Sequence, residues 1–271
     1  MRIAQITDCH IVDEGALMAD RVDSADRLTH VVDVVNAFRP AVDLVLLTGD
    51  LVNDGTSSQY DRLDTILGRL HPPAVPVMGN HDDRSELRAR HPDVLPAGTP
   101  ADPIDFTVDE HPLRIVVLDT TIPGEHRGML SDDQLSWLDD TLADRPDHPT
   151  IIAQHHPPFR TGLERMDAYG LTGSAEEAAV VQRHPHVEAV VCGHLHRTIH
   201  TRFGGTVASC WPATAAQLHL GLDDGPVAYT DAPPAFALHD WDARSGLRSH
   251  AVEVGGHDRW IPSWSEHVPV V

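Results

Sequence analysis

The sequence contains no lysine: all 20 basic residues are arginine, set against 41 Asp and Glu, so the formal charge is 20 − 41 = −21 with histidine neutral. So acidic a surface disfavours a nucleic-acid polymer as partner, because such binders present a basic stripe that displaces phosphate counterions. A small anionic substrate suits the field only where bound cations reverse it locally. Cysteine is scarce too, with three. Cys9, Cys192 and Cys210 are odd in number and lack CxxC spacing, which argues against both a disulfide framework and a zinc ribbon. No apolar run reaches the roughly 18 residues of a membrane-spanning helix, so no membrane partner is expected. The start, Met1-Arg2-Ile3-Ala4-Gln5-Ile6, runs straight into a strand pattern without the features of a signal peptide. A cytoplasmic protein is the expectation.

What is present is an alternation of short apolar runs with amphipathic stretches over roughly the first 200 residues, the pattern of an α/β layer fold. Strands are expected at Ile3–Thr7, Val42–Thr48, Val75–Met78, Ile115–Leu118, Thr150–Gln154 and Val187–Cys192. Several are apolar throughout, as strands covered on both faces are. Three capping boxes mark helix starts: Thr56 with Gln59, Ser131 with Gln134, and Ser174 with Glu177. Behind the first box Tyr60, Leu63, Leu67 and Leu70 recur at helical spacing, and behind the second Leu135, Leu138 and Leu142 do so. After residue 196 the pattern turns to strands, at Arg197–Phe203, Thr206–Cys210, Ala235–Trp241 and Leu247–Val254. Gly221–Pro234 reads as a long loop. One domain over 1–271 is expected, with a β-rich part at 197–254 and an irregular tail at 255–271.

The chemistry lies in the residues that follow the strands. Asp8 and His10 follow the first, and Gly49-Asp50 the second, with Asn53 close behind. Gly79-Asn80-His81-Asp82 follows the third, His155-His156-Pro157-Pro158 a later one, and Gly193-His194-Leu195-His196 the next. Open α/β sheets place their sites at such carboxyl-terminal edges. Any one of these motifs alone is ordinary loop chemistry, since Gly, Asp and Asn are turn formers. Together, Asp8, His10, Asp50, Asn80, His155, His194 and His196 form a donor set suited to two divalent ions, with imidazoles for Mn, Fe, Co or Zn and oxygen donors to offset charge. A carboxylate can bridge two cations, and two ions about 3.5–4 Å apart can hold a hydroxide and clamp a phosphoryl group.

As a set, Asp8-x-His10, Gly49-Asp50, Gly79-Asn80-His81-Asp82, His155-His156-Pro157 and Gly193-His194-x-His196 resemble the motifs of the calcineurin-like metallophosphoesterases. The details are most similar to the class III cyclic nucleotide phosphodiesterases and bacterial glycerophosphodiesterases. The resemblance implies a four-layer αββα sandwich of two mixed β-sheets flanked by helices. It implies one ion held by Asp8, His10, Asp50 and His196, and a second by Asp50, Asn80, His155 and His194, with Asp50 bridging. His81 matches the histidine that faces substrate without binding metal, and His156 is a substrate-side candidate or a support behind the ligands. Asp82 is expected either to orient His81 or to cap a helix, Asn53 to steady the Asp50 loop, and Cys9 to pack.

The implied reaction is hydrolysis of a small phosphodiester, a 3′,5′-cyclic nucleotide or a glycerophosphodiester, by in-line attack of a metal-bridging hydroxide. A broad-specificity phosphomonoesterase is the neighbouring alternative. A non-catalytic metal-binding scaffold is another, although such relatives tend to lose ligands or the substrate histidine, and this chain keeps both. Relatives often carry a histidine where this chain reads Pro212-Ala213-Thr214-Ala215-Ala216-Gln217, with the next at His219. The lost polar contact bears on specificity. The β-rich C-terminal part offers a surface for a homo-oligomer.

Overall fold

The computed structural model describes residues 1–92, 95, 103–223 and 225–255. The tail expected at 255–271 therefore lies, beyond residue 255, outside the described residues. The chain opens with β1 (Arg2–Ile6), α1 (Ser24–Ala37), β2 (Leu44–Thr48), α2 (Ser57–Leu67), β3 (Ala74–Val77) and α3 (Arg84–Arg90). There follow β4 (Phe106–Val108), β5 (Arg114–Val117), β6 (Gly128–Met129), α4 (Asp132–Asp144), β7 (Thr150–Ala153), α5 (Glu164–Asp167), β8 (Leu171–Thr172), α6 (Ser174–Arg183) and β9 (Val187–Cys192). Among the described residues only strands come after: β10 (Ile199–Phe203), β11 (Thr206–Cys210), β12 (Gln217–Leu218), β13 (Tyr229–Thr230), β14 (Ala235–Asp242) and β15 (Gly246–Glu253). Each expected strand is found, its ends shifted by two residues at most.

Two mixed sheets result. The first runs β15-β14-β1-β2-β3, the second β10-β11-β9-β7-β5-β4. In the first, β1, β2 and β3 are parallel and β14 is antiparallel to β1. In the second, β5, β7, β9 and β11 are parallel, with β4 and β10 antiparallel at the edges. Side-chain alternation sets the layers. Ile115, Val117, Ile151, Ala153, Ala189 and Val191 face the core shared with the first sheet, which also takes Leu28, Val31, Val32 and Val35 of α1 and Tyr60 and Leu63 of α2. Their neighbours Val116, Ile152, Val190 and Cys192 face the other way, onto Leu135, Leu138 and Leu142 of α4 and Val180 and Val181 of α6. The expected helix–sheet–sheet–helix layering is what the chain adopts.

The helix starts show how local signals compete. The box at Ser131 forms in full, with reciprocal bonds to Gln134. At α2 the start falls where expected, but Thr56 makes no side-chain cap bond; Gln59 is taken instead by Asp54, through bonds of 2.8 Å each way. At α6 the expectation fails, because the cap is Gly173 at φ 91° and Ser174 is already helical. Glu177, still in the first turn, does not reach back to the cap but is fully buried, against Gln154 at 3.4 Å. The helix α1 has no box at all; the Asp23 carboxylate caps it by accepting from Asp26 N at 3.1 Å.

Candidate metal centre

Parallel strands end on the same side, so β1, β2 and β3 of one sheet and β7 and β9 of the other deliver their trailing residues to a common edge. There the structure gathers three groups of ligand atoms, each mutually within 4.8 Å: Asp8, His10 and His196; Asp50, His155 and His194; and His10, Asp50 and His81. Asp50 joins them, its Oδ2 lying 3.6 Å from His10 Nε2 and 3.3 Å from His155 Nε2. The Asn80 carboxamide oxygen is 3.2 Å from the same His155 nitrogen. Across the first group, His196 Nε2 stands 3.3 Å from Asp8 Oδ1 and 3.2 Å from His10 Nε2. All seven predicted ligands are thus brought together.

The backbone is bent to achieve this. Asp8 (φ 51°), His10 (42°), Asp50 (51°), His194 (70°) and His196 (48°) all sit in the left-handed region, which costs a non-glycine residue about 1–3 kcal/mol. Such strain persists where surrounding contacts over-determine it. Here the Asp8 amide bonds Gly49 O at 3.0 Å, the His10 amide Asp50 O at 3.0 Å, and the Ala215 amide Asp8 O at 3.1 Å. Two glycines are required by close approach: a Cβ on Gly79 would strike the Asp50 amide, and one on Gly193 the Thr7 hydroxyl.

The hydrogen bonds around the rings fix their proton positions. His196 Nδ1 lies 2.7 Å from the Ala216 carbonyl and His155 Nδ1 2.9 Å from the Thr48 carbonyl. A carbonyl only accepts, so each Nδ1 carries a proton and each neutral ring turns an Nε2 lone pair toward a carboxylate. Acceptor meets acceptor unless a second proton or a metal cation lies between them. Buried without a hydrogen-bond partner are also His10 Nδ1 and His194 Nε2. Burial opposes charge on His155, yet Asp50 beside it pushes its pKa up to about 10, and Asp8 raises that of His196 against the same burial penalty. Burial likewise opposes ionisation of Asp50, but His155 holds it well below the usual carboxylate range. His10, farther from such help, is pushed down to about 4 by burial. The carboxylates that draw protons to His155 and His196 would equally hold divalent cations, and the donor set fits two of them.

A cavity of about 210 Å³ opens onto the centre, lined by His10, Asp50, Asn80, His81, His126, Met166, Tyr169, His194, His196 and Tyr229. His81 borders it, with Nδ1 donating to the Asn53 carbonyl at 2.7 Å; Asn53 therefore orients His81 through its backbone. Asp82 does neither task expected of it. Its carboxylate accepts from the amides of Gly79 (2.9 Å) and Leu51 (3.0 Å) and from the Tyr60 hydroxyl (3.2 Å), tying the two ligand loops together, while Asp83 caps α3. His156 is fully buried behind the cleft with both ring nitrogens bonded, so it is not on the substrate side. Where a histidine was missed at 212–217, the segment contributes the Ala216 carbonyl to His196, and His219 lines a neighbouring cavity. Cys9 is buried in the core, as expected. Sequence reasoning passed over His126 and Tyr169, which stand in loops, and Tyr229, which opens the short strand β13 within the stretch expected as a loop; none has a motif around it.

Comparison with known proteins agrees with this arrangement. The family model of calcineurin-like phosphoesterases matches residues 1–198, and the chain belongs to that family. It is 30% identical to a probable glycerophosphodiester phosphodiesterase of Arcobacter nitrofigilis, over 98% of each chain. It is 35% identical to a cAMP/cGMP dual specificity phosphodiesterase of Mycobacterium tuberculosis, over 82% of this chain and 70% of that one. Among solved structures, a dimetal phosphatase from Danio rerio shares the fold with a TM-score of 0.65 at 17% identity, covering 94% of this chain and 99% of that one.

Proposed function

We propose that the protein is a binuclear metal-dependent phosphodiesterase acting on a small diester, a 3′,5′-cyclic nucleotide or a glycerophosphodiester. The observation that carries this is the position of Asp50, which is grouped with His155 and His194 and lies 3.6 Å from His10 of the neighbouring group. Asp8, His10, Asp50 and His196 would hold one ion, and Asp50, Asn80, His155 and His194 the other, with Mn, Fe, Co and Zn all compatible. Two such ions supply a nucleophile from water at neutral pH and offset the charge of the phosphoryl group. Among the chain's own groups, His81 faces the cleft with Nδ1 fixed by Asn53, so its other nitrogen is left for substrate. Protonated, it donates to the phosphoryl oxygens and passes its proton to the departing alkoxide as the P–O bond breaks, giving a monoester and an alcohol. Tyr169, Tyr229 and Met166 border the space for the alcohol arm. The relatives' names, one for a glycerophosphodiester and one for cyclic nucleotides, support the diester reading and both substrate classes.

The test is hydrolysis of bis(p-nitrophenyl) phosphate beside p-nitrophenyl phosphate by metal-stripped protein refilled with Mn²⁺. Turnover that needs metal and favours the diester is expected, after which cyclic AMP and glycerophosphodiesters discriminate the substrate class. Preference for the monoester would make the protein a phosphatase.

A further inference from the structure

His156, directly after the candidate ligand His155, has no task in the reaction above, but its hydrogen bonds lead to one. The Thr120 hydroxyl lies 2.8 Å from His156 Nδ1 and 3.3 Å from the His156 amide, which can only donate to it. Its own proton is then free for Nδ1. On the other side of the ring, Nε2 stands 3.1 Å from the backbone carbonyl of His126. That carbonyl only accepts, so His156 carries its proton on Nε2 and holds the loop around His126 in place. A Cβ on Gly128 would lie 2.5 Å from the His156 ring, and the loop reaches the ring because that Cβ is missing.

The ring of His126 continues the chain. Its Nδ1 is 3.2 Å from Asn80 Nδ2. An amide NH₂ donates and does not accept, so His126 Nδ1 is the acceptor. With Nδ2 taken there, Oδ1 of Asn80 is left on the opposite side, 3.2 Å from His155 Nε2 and toward the second ligand group. Turned over, the amide would set an oxygen against the His126 lone pair and aim N–H bonds at a cation. Thr120, His156, His126 and Asn80 thus form a run of hydrogen bonds in which each proton has one consistent place.

We propose that His126 is a positioning residue for the second ion, one that fixes which atom of Asn80 faces it, with His156 fixing His126. This rests on the binuclear reading of the site. Groups behind metal ligands change affinity by about 10–100-fold. The Asn80–His126 bond borders solvent, where water competes, so the lower end, about tenfold, applies here.

The experiment is calorimetric titration of the metal-stripped full-length protein with Mn²⁺, comparing wild type with His126→Ala, His126→Asn and His126→Gln. An asparagine oxygen falls where histidine Nδ1 was, a glutamine amide where Nε2 was. The alanine variant should bind the second ion about tenfold more weakly with the first unchanged, and asparagine, not glutamine, should restore it. His126 sits in an exposed loop, so these changes leave the core intact. Two ions in wild type with unchanged second-site affinity in His126→Ala would overturn the inference, as would rescue by glutamine alone. Fewer than two ions in wild type would instead remove the binuclear reading, and this inference with it.

Discussion

The two ligand groups meet at Asp50 but are built differently. Asp8, His10 and His196 are all buried. Asp8 accepts from the Thr7 hydroxyl at 2.8 Å and from the His194 amide, and the ring of His196 is held by Ala216. Asp50, His155 and His194 are buried as well, but the remaining donor of their group, Asn80, is half-exposed and leans on an exposed loop. The first group is closed by strand ends and the second by a side chain whose orientation depends on distant neighbours. Under the proposed function the two ions are therefore held unequally, the second more weakly.

Variants can break this comparison, starting from the residue common to both groups. Asp50→Asn removes the shared carboxylate, and turnover should fall by about 10³-fold or more, some 4 kcal/mol of barrier. Metal analysis should show both ions lost, and added Mn²⁺ should not recover the rate. His81→Ala removes no donor from either proposed ion; an expected loss of about 10²–10³-fold in kcat with two ions retained would separate its role from theirs. Unchanged kcat would remove His81 from the reaction. Asn80→Ala weakens the second group alone, for a loss of about 10–100-fold that excess Mn²⁺ should partly reverse. Failure of metal to reverse it, while the first ion stays bound, would contradict the inequality.

A separate effect, on stability and not on turnover, lies behind the second sheet, away from the ions. Burial pushes the Glu177 carboxyl up to about 8, and both its Oε1 and Gln154 Oε1 lack hydrogen-bond partners, a gap that a proton on Glu177 can fill. Since the folded pKa exceeds the ordinary value near 4.5, the unfolded chain loses its proton first. Stability is then fully present at low pH and declines as pH rises from about 4.5 to 8, by up to about 1.4 kcal/mol per pH unit. Glu177→Gln should gain in melting temperature relative to wild type across that interval. A constant difference between pH 5 and 8 would show that Glu177 is ionised in the fold.

Much of this was readable beforehand because parallel strands announce themselves as apolar runs and their sites follow directly. Asp8, His10, Asp50, Asn80, His155, His194 and His196 are each within a few residues of a strand end, so local order stood in for spatial order. Helix starts were less legible, since the side chains of a capping box have other partners to choose from: Gln134 took its cap while Gln59 and Glu177 did not. Asp82 was misread because Asp-Asp offers two caps, and only the contact with Gly79, Leu51 and Tyr60 tells which aspartate is the tie and which the cap.

His126 lies at the far limit of legibility. Glu125-His126-Arg127 has the look of any polar loop, and nothing in its neighbours marks it. By itself the sequence determined the donor types, their order on successive strands and the acidity that calls for cations, because these follow from residue chemistry and short-range periodicity. Only the tertiary structure decided which side of each imidazole and amide faces the centre. A proton settles according to the carbonyl or hydroxyl that the fold brings within about 3 Å, and those partners come from segments 36, 30 and 107 positions away in the chain.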